Sequence, residues 1–437
     1  MLRVQSNSPA VPALDAAGAA HVYVVGYRGS PHAQDYREFL ERNAVQHDWI
    51  DVEHDPLARF LGAPTDVEGV RLPVFLFPDG SRLEPFADEN EEVSFARTRA
   101  ELAERVGLHA RPSLDLYDVG IAGAGPAGLT AALYAASEGL STIVVERHAP
   151  GGQAGTSARI ENYPGFPNGL SGQALAEAAH EQAVRFGAEI VIGSDIAGGG
   201  KGEDGEIMFA LVNGSVVRVR AAIGATGFDY RRLDAEGVDD FLGVGVYYGA
   251  SPSDVYYHRD GDVFIVGGAN SAGQAALHLA AHARSVTLLV RGETIEEQMS
   301  QYLVDRCCRH GSIQVRLNTR VVRASGEGKL ERLILESDGE EVEVSADALF
   351  ILIGGTPATT NCPWGLARDE HGFVLTGPDV RDTWMLDRAP YFLESSHPGY
   401  FFAGDARHGS VKRVAAAVGE GAMAVQQVHR YLAGLDD

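Results

Sequence analysis

The sequence predicts an α/β protein: two three-layer units on mainly parallel sheets, preceded by a smaller α/β unit. Three observations carry this. Residues 118–146, DVGIAGAGPAGLTAALYAASEGLSTIVVE, read as strand, glycine turn, helix, strand and acid. Residues 261–291, GDVFIVGGANSAGQAALHLAAHARSVTLLVR, repeat that order 144 positions later without the final acid. Residues 21–110 alternate short apolar runs with helical patterns and turn signals in the order βαβαββα.

The totals narrow the function classes. A chain of 437 residues suggests roughly two to four domains, and its 45% apolar content supports ordinary cores. A formal net charge of −24 disfavours nucleic acid and anionic membranes as partners and tolerates a basic one. No apolar run approaches the roughly 20 residues that span a bilayer. Residues 1–20 lack the sustained apolar core of a signal peptide, so a flexible leader and a cytoplasmic protein are expected. The three cysteines, Cys307, Cys308 and Cys362, form no CxxC and are expected to be unpaired thiols in a reducing compartment.

The first unit, 21–110, is expected to hold strands at 21–26, 47–52 and 72–77, helices at 30–43, 55–61 and 98–106, and a turn at Pro78-Asp79-Gly80. Residues 82–85 return as a hairpin, and Gly107 ends the last helix. This order, with a proline opening the third strand, resembles the thioredoxin/glutaredoxin fold. The resemblance implies a cis-proline at Pro73 and a Cys-Pro-x-Cys where this chain has Ser30-Pro31-His32-Ala33. A domain without those sulfurs cannot exchange disulfides, but it can dock a partner or rigidify its neighbour.

A linker, 111–117, leads to the first glycine turn. Gly123 makes the tight turn, Gly125 lets backbone approach a pyrophosphate, and Gly128 lets helix and strand pack closely. Pro126 and Ala127 open a helix whose N-terminus presents free N–H groups to phosphates. Glu146, 18 residues past Gly128, can accept from ribose hydroxyls. Both glycine-turn units are therefore read as Rossmann-like dinucleotide-binding domains. The first is expected to be discontinuous, 118–243 and 355–437, with the second, 244–354, inserted between its parts.

Further motifs follow in order: Gly152-Gln153 in a flexible loop, IENYPGF at 160–166, LSG at 170–172, EQAVRFGAE at 181–189, Ala225-Thr226-Gly227, and Gly404-Asp405. Together with GAGPAGLTAALYAA these resemble the low-molecular-weight thioredoxin reductase family of FAD flavoproteins, from about Asp118 to Leu432. The resemblance implies FAD at the first turn, held also by Gly152, Gln153, Asn162, Ala225, Thr226, Gly227, Gly404, Asp405 and the Lys412-Arg413-Val414 turn. On its own chemistry, Asp405 either accepts from a ribityl hydroxyl or caps the next helix. Asn162 either contacts the flavin or makes an Asx turn. The family also implies a homodimer and a rotating nicotinamide domain.

In the second turn, Gly267, Gly268, Ala269, Asn270, Ser271 and Ala272 form the expected nicotinamide-nucleotide site, NAD(P). Ala269 falls where the first turn has Gly125, and Ala272 where it has Gly128. Val290 replaces Glu146 and Arg291 follows it, so Arg291 either pairs with the 2′-phosphate of NADPH or is an ordinary solvated charge, leaving NADH open.

The family's redox Cys-x-x-Cys-Asp would fall at Ala250-Ser-Pro-Ser253-Asp254, so Asp254 remains without thiols to serve. It is a weak catalytic candidate beside a loop Asp or an N-cap. Tyr247 and Tyr248 are expected in the core, and 361–398, with Trp364, Trp384 and Tyr391, in a long irregular insertion.

Three functions are weighed. The first is an NAD(P)H-dependent flavoprotein reductase serving a small-molecule or protein acceptor: a quinone, flavin, oxygen or an iron–sulfur protein. The second is a flavin-bearing sensor or interaction module with vestigial turnover. The third is a disulfide reductase using cysteines outside the usual motif.

Overall fold

The computed structural model describes residues 21–27, 31–52, 55, 71–88, 90–157, 160, 162–242, 244–250, 258–359, 362 and 365–435. Five sheets organise them. The N-terminal sheet has the strand order His47–Asp51, Val22–Gly26, Val74–Leu76, Arg82–Leu83. Its first pair is parallel and the other two are antiparallel, and the Leu72–Pro73 peptide is cis. The expected helix over 55–61 lies outside the described residues apart from Asp55.

The helix expected at 98–106 begins seven residues earlier and runs Glu91–Arg105. Asn90 stands extended before it, and its side-chain oxygen accepts from the N–H groups of Glu92 and Val93 at 2.8 and 3.4 Å. Two acids in the first turn then favour the positive end of the dipole. The exposed polar start hid a helix whose apolar face begins only at Phe95 and Ala96.

The sheet of the first glycine turn runs Glu189–Ile192, Thr142–Glu146, Tyr117–Ala122, Val216–Gly224, Ile207–Leu211, Ile196–Lys201. The strands up to Val216–Gly224 are parallel; the last two return as an antiparallel hairpin. Tyr400–Phe402 pairs in parallel with residues 222–224, so its C-terminal end opens beside the glycine turn. The Pro126–Ser137, Gly172–Arg185 and Val414–Ala433 helices complete this unit. The last begins at Val414, because Ala415, Ala416 and Ala417 carry helical propensity up to the extended Arg413.

The second unit has five parallel strands in the order Val246–Tyr248, Ala348–Ile351, Asp262–Val266, Ser285–Leu289, Ile313–Arg316. An antiparallel meander of Thr319–Ser325, Arg332–Ser337 and Glu340–Ser345 lies beside it. A short pair, Phe228–Tyr230 with Gly355–Pro357, joins the two crossings between units. Of the polar stretch at 293–309, only Gln301–Arg309 is helical. Ile295 and Met299 are buried instead, and the Ser300 N–H donates to Asn270 Oδ1 at 2.6 Å, which folds the preceding segment under the Asn270–Leu279 helix.

One hydrophobic cluster runs through the N-terminal unit and the first glycine-turn unit. It joins Tyr36, Phe39, Leu40 and Phe75 to Val119, Ile121, Leu129 and Ala131. Burial of apolar surface thus fuses these two units into one core. Tyr247 takes its expected place in a core, stacked on Phe350 with ring centroids 5.2 Å apart.

Candidate functional site

The first glycine turn is built by close approach. Gly123 has φ +99°, and a Cβ there would lie 2.5 Å from the Ala225 carbonyl oxygen. A Cβ on Gly128 would lie 1.9 Å from the Gly123 oxygen. No side chain larger than hydrogen fits either place. Gly125 differs: a Cβ there would meet nothing within 4 Å. It is the extended N-cap of the Pro126–Ser137 helix, and no side chain caps that helix start. The open side of Gly125 and the free N–H groups of this helix make one concave, donor-rich surface.

Other sequence-predicted residues converge here. Gly152 packs on Gly125, with its added Cβ 3.2 Å from the Gly125 Cα. The Gln153 amide donates to the Phe228 carbonyl at 3.3 Å, tying this loop to the end of the Ala225-Thr226-Gly227 segment. Gly404 faces Ala127, with 3.1 Å between its added Cβ and the Ala127 Cβ. Its N–H donates to Glu420 Oε2 at 2.7 Å, and Glu420 is also paired with Arg407 at 2.5 Å. The Arg407–Glu420 pair was not read from the sequence, although an acid between two glycines at 419–421 was its visible signal.

Three polar groups in this region have distinct states. Thr226 Oγ1 is buried and has no hydrogen-bond partner among the described residues. Burial raises the Asp405 carboxyl above its ordinary value, opposed by the charge of Lys412 and aided by that of Glu420. Glu146 is buried and accepts from the N–H groups of Ala124 and His148, both at 2.7 Å, so its carboxylate also braces the turn. Lys412 donates to the Asp405 carbonyl at 2.7 Å and lies 4.2 Å from the Phe373 ring centre. Arg413 and Asn162 are exposed, and Val414 starts the last helix.

The second turn repeats the backbone but not the space. Gly267 has φ +144°, and its Cβ would lie 2.4 Å from the Leu352 oxygen. A Cβ on Gly268 would press on Val290 at 3.1 Å. Ala269 is the extended N-cap of the Asn270–Leu279 helix, as Gly125 is of its own. Its methyl group therefore occupies the side that Gly125 leaves open. Asn270 turns its side chain to Ser300, Ser271 is exposed, and Ala272 is buried in the core. Arg291 is exposed on a cavity of about 350 Å³ shared with Glu293, Asn318, Thr319, Arg320, Glu336 and Asp338. Arg320 is committed to Glu336 through two hydrogen bonds, at 3.2 and 2.6 Å.

Two of the three thiols lie on the Gln301–Arg309 helix and the third in the 361–398 insertion. Cys307 is buried against the Asn270–Leu279 helix, its Sγ 3.6 Å from the Gly273 oxygen, and burial pushes its pKa up to about 11. Cys308 is exposed on the same helix face change, and Cys362 is half-buried beside Tyr400 with its thiol raised by burial. Asp254, Ser253, Ser30 and Trp364 lie outside the described residues.

A model of the pyridine nucleotide-disulphide oxidoreductase family matches residues 117–421, which span both glycine turns. The chain belongs to that family. Among curated relatives, thioredoxin reductase of Listeria monocytogenes is 33% identical over 326 residues, covering 74% of this chain and 96% of that protein. The 34.2 kDa protein in the rubredoxin operon of Clostridium pasteurianum is 30% identical over 319 residues, covering 72% and 97%. Thioredoxin reductases of Lactococcus lactis and T. acidophilum superpose with a TM-score of 0.65 at 27% identity, covering 73–74% of this chain and 99–100% of theirs. This pyridine nucleotide-disulphide oxidoreductase is thus a thioredoxin reductase-like flavoprotein oxidoreductase. Thioredoxin reductases of this kind use FAD and NADPH. The first turn fits such a dinucleotide: Gly125 is open, its helix start has no side-chain cap, the Thr226 hydroxyl has no partner among the described residues, and the Asp405 carboxyl is desolvated. No described helix is long and apolar enough to cross a membrane.

Proposed function

We propose that this chain is an NAD(P)H-dependent flavoprotein reductase that serves a non-disulfide acceptor: a quinone, a free flavin, oxygen or an iron–sulfur protein. The observation that carries the reading is the placement of sulfur. Ala250 and Ser253 stand where the family's dithiol would be, and all three thiols sit elsewhere, two of them raised by burial. A thiol with a raised pKa holds little thiolate and is a poor redox nucleophile.

FAD, when bound, supplies hydride acceptance from the nicotinamide and onward electron transfer. The chain's own residues bind and orient. Gly125 and the N–H groups after Pro126 receive the pyrophosphate, Glu146 the ribose, and Asp405 and Thr226 the polyol hydroxyls. Gly152, Gln153, Ala225, Gly227, Gly404 and the 412–414 turn shape the same space. Residues 267–272 and Arg291 receive the nicotinamide nucleotide. The parallel-then-antiparallel N-terminal sheet and the cis Pro73 support a thioredoxin-like domain without its sulfurs. A homodimer is the expected assembly.

The Ala269 methyl favours a second reading, a flavin-bearing module with weak turnover. Anaerobic mixing with NADPH or NADH separates the two. Rapid bleaching of the flavin, followed by reoxidation with a quinone or external flavin, is expected for the reductase. A flavin that neither nucleotide bleaches would sink it in favour of the module. Fast reduction of a disulfide dye or thioredoxin would instead restore the disulfide reductase.

A further inference from the structure

Several side chains of the N-terminal unit meet the loop that follows the first turn, and Arg42 makes the most hydrogen bonds to it among the described residues. Arg42, the last residue of the Pro31–Arg42 helix, is half-buried against the loop after Glu146. Its Nη2 donates to the carbonyl oxygens of Ala149, Pro150 and Gly152 at 3.5, 3.4 and 3.1 Å. Glu38, one helical turn back, lies 3.5 Å from its other terminal nitrogen. The neighbouring Asn43 amide donates to the His148 carbonyl at 2.9 Å, and Phe39 meets the His148 ring edge-on at 5.9 Å. Four of the five carbonyls from 148 to 152, all but that of Gly151, are therefore anchored by one helix end of the accessory unit.

The orientation of those carbonyls has a consequence on the other side of the loop. A trans peptide holds its C=O and N–H in opposite directions. With the Pro150 oxygen drawn to Arg42, the Gly151 N–H points the other way and donates to the Ala124 oxygen at 2.7 Å. With the Gly152 oxygen drawn to Arg42, the Gln153 N–H likewise turns away from the accessory unit. Gly151 and Gly152 have φ +105° and +50°, so the loop holds a conformation that its own residues do not enforce. The same loop presses Gly152 onto Gly125.

We infer that Arg42 is a positioning residue for the flavin nucleotide: the accessory unit acts as a fixed brace that sets the loop at 148–153 against the glycine turn. This rests on the reading of the first turn as the FAD site. A guanidinium fits the task because one terminal nitrogen serves the loop carbonyls while the other stays paired with Glu38, which an ammonium, a single point donor, does less well.

The test uses the holoprotein and reads FAD release by recovery of flavin fluorescence after dilution. Arg42→Ala is expected to speed release and weaken FAD by about tenfold, with Arg42→Lys recovering part of the loss. Arg99→Met removes the buried pair between Arg99 and Asp195 at the same junction and leaves the hydrogen bonds of Arg42 and Asn43 to the loop in place. It is expected to lower the Tm while leaving FAD release within about twofold of the parent. Equal release from Arg42→Ala and the parent would overturn the inference, and so would equal weakening by Arg99→Met, which would make docking in general the cause. A parent protein that carries no flavin would overturn the reading of the site as well.

Discussion

At the scale of single residues, the glycines of the first turn were legible because sterics leave no alternative. Gly123 and Gly128 abut carbonyl oxygens, and their spacing in the sequence is the imprint of that contact. The fold-wide partners were not legible in the same way. Glu420 and Arg42 act on backbone groups distant in sequence, Arg407 holds the Glu420 carboxylate, and nothing in their local pattern announces it. Asp405 is the residue whose chemistry is most directly testable. Its carboxyl is raised by burial, so the stability it contributes is present below its unfolded value and lost as pH rises through the folded one. Asp405→Asn, neutral throughout, should raise the Tm of flavin-free protein at pH 7. The gap should close as pH falls toward the ordinary aspartate value of about 3.9, and FAD should bind more weakly. A lower Tm at pH 7 would show that Asp405 is stabilising as a carboxylate.

At the scale of elements, periodicity located the strands of the N-terminal unit and those flanking both glycine turns. It misplaced the helix start at Glu91, where capping decides. The Asn90 side chain starts that helix, as the pull of Asn270 on Ser300 sets the start of the Gln301–Arg309 helix. The two strand–turn–helix units show how one backbone serves two sites. Their helix N-caps are both extended, yet one carries hydrogen and the other a methyl group. Ala269→Gly should open the second turn to phosphate. The expected outcome is a fall of about threefold to tenfold in KM for the nicotinamide nucleotide with kcat little changed, and without loss of helix stability, because glycine is preferred over alanine at an N-cap. Steady-state kinetics with NADPH and NADH would show this; an unchanged KM would mean the methyl group faces no ligand.

At the scale of the whole molecule, three sheets of different ancestry in the sequence pattern share a chain, and two share a core. The fused cluster from Tyr36 to Leu129 makes the N-terminal unit part of the flavoprotein body rather than an appended carrier. The proposal that electrons leave the flavin without a disulfide step rests on the sequence, which contains no CxxC. The acceptor itself was not legible, because the resemblance speaks of a dithiol and no other residue pattern marks an acceptor. The most direct measurement is turnover of the Cys307→Ser, Cys308→Ser, Cys362→Ser triple variant with NAD(P)H and a quinone or flavin acceptor, at full FAD occupancy. The account predicts a kcat within about twofold of the parent. A loss of more than about tenfold in a folded, flavin-loaded variant would contradict it.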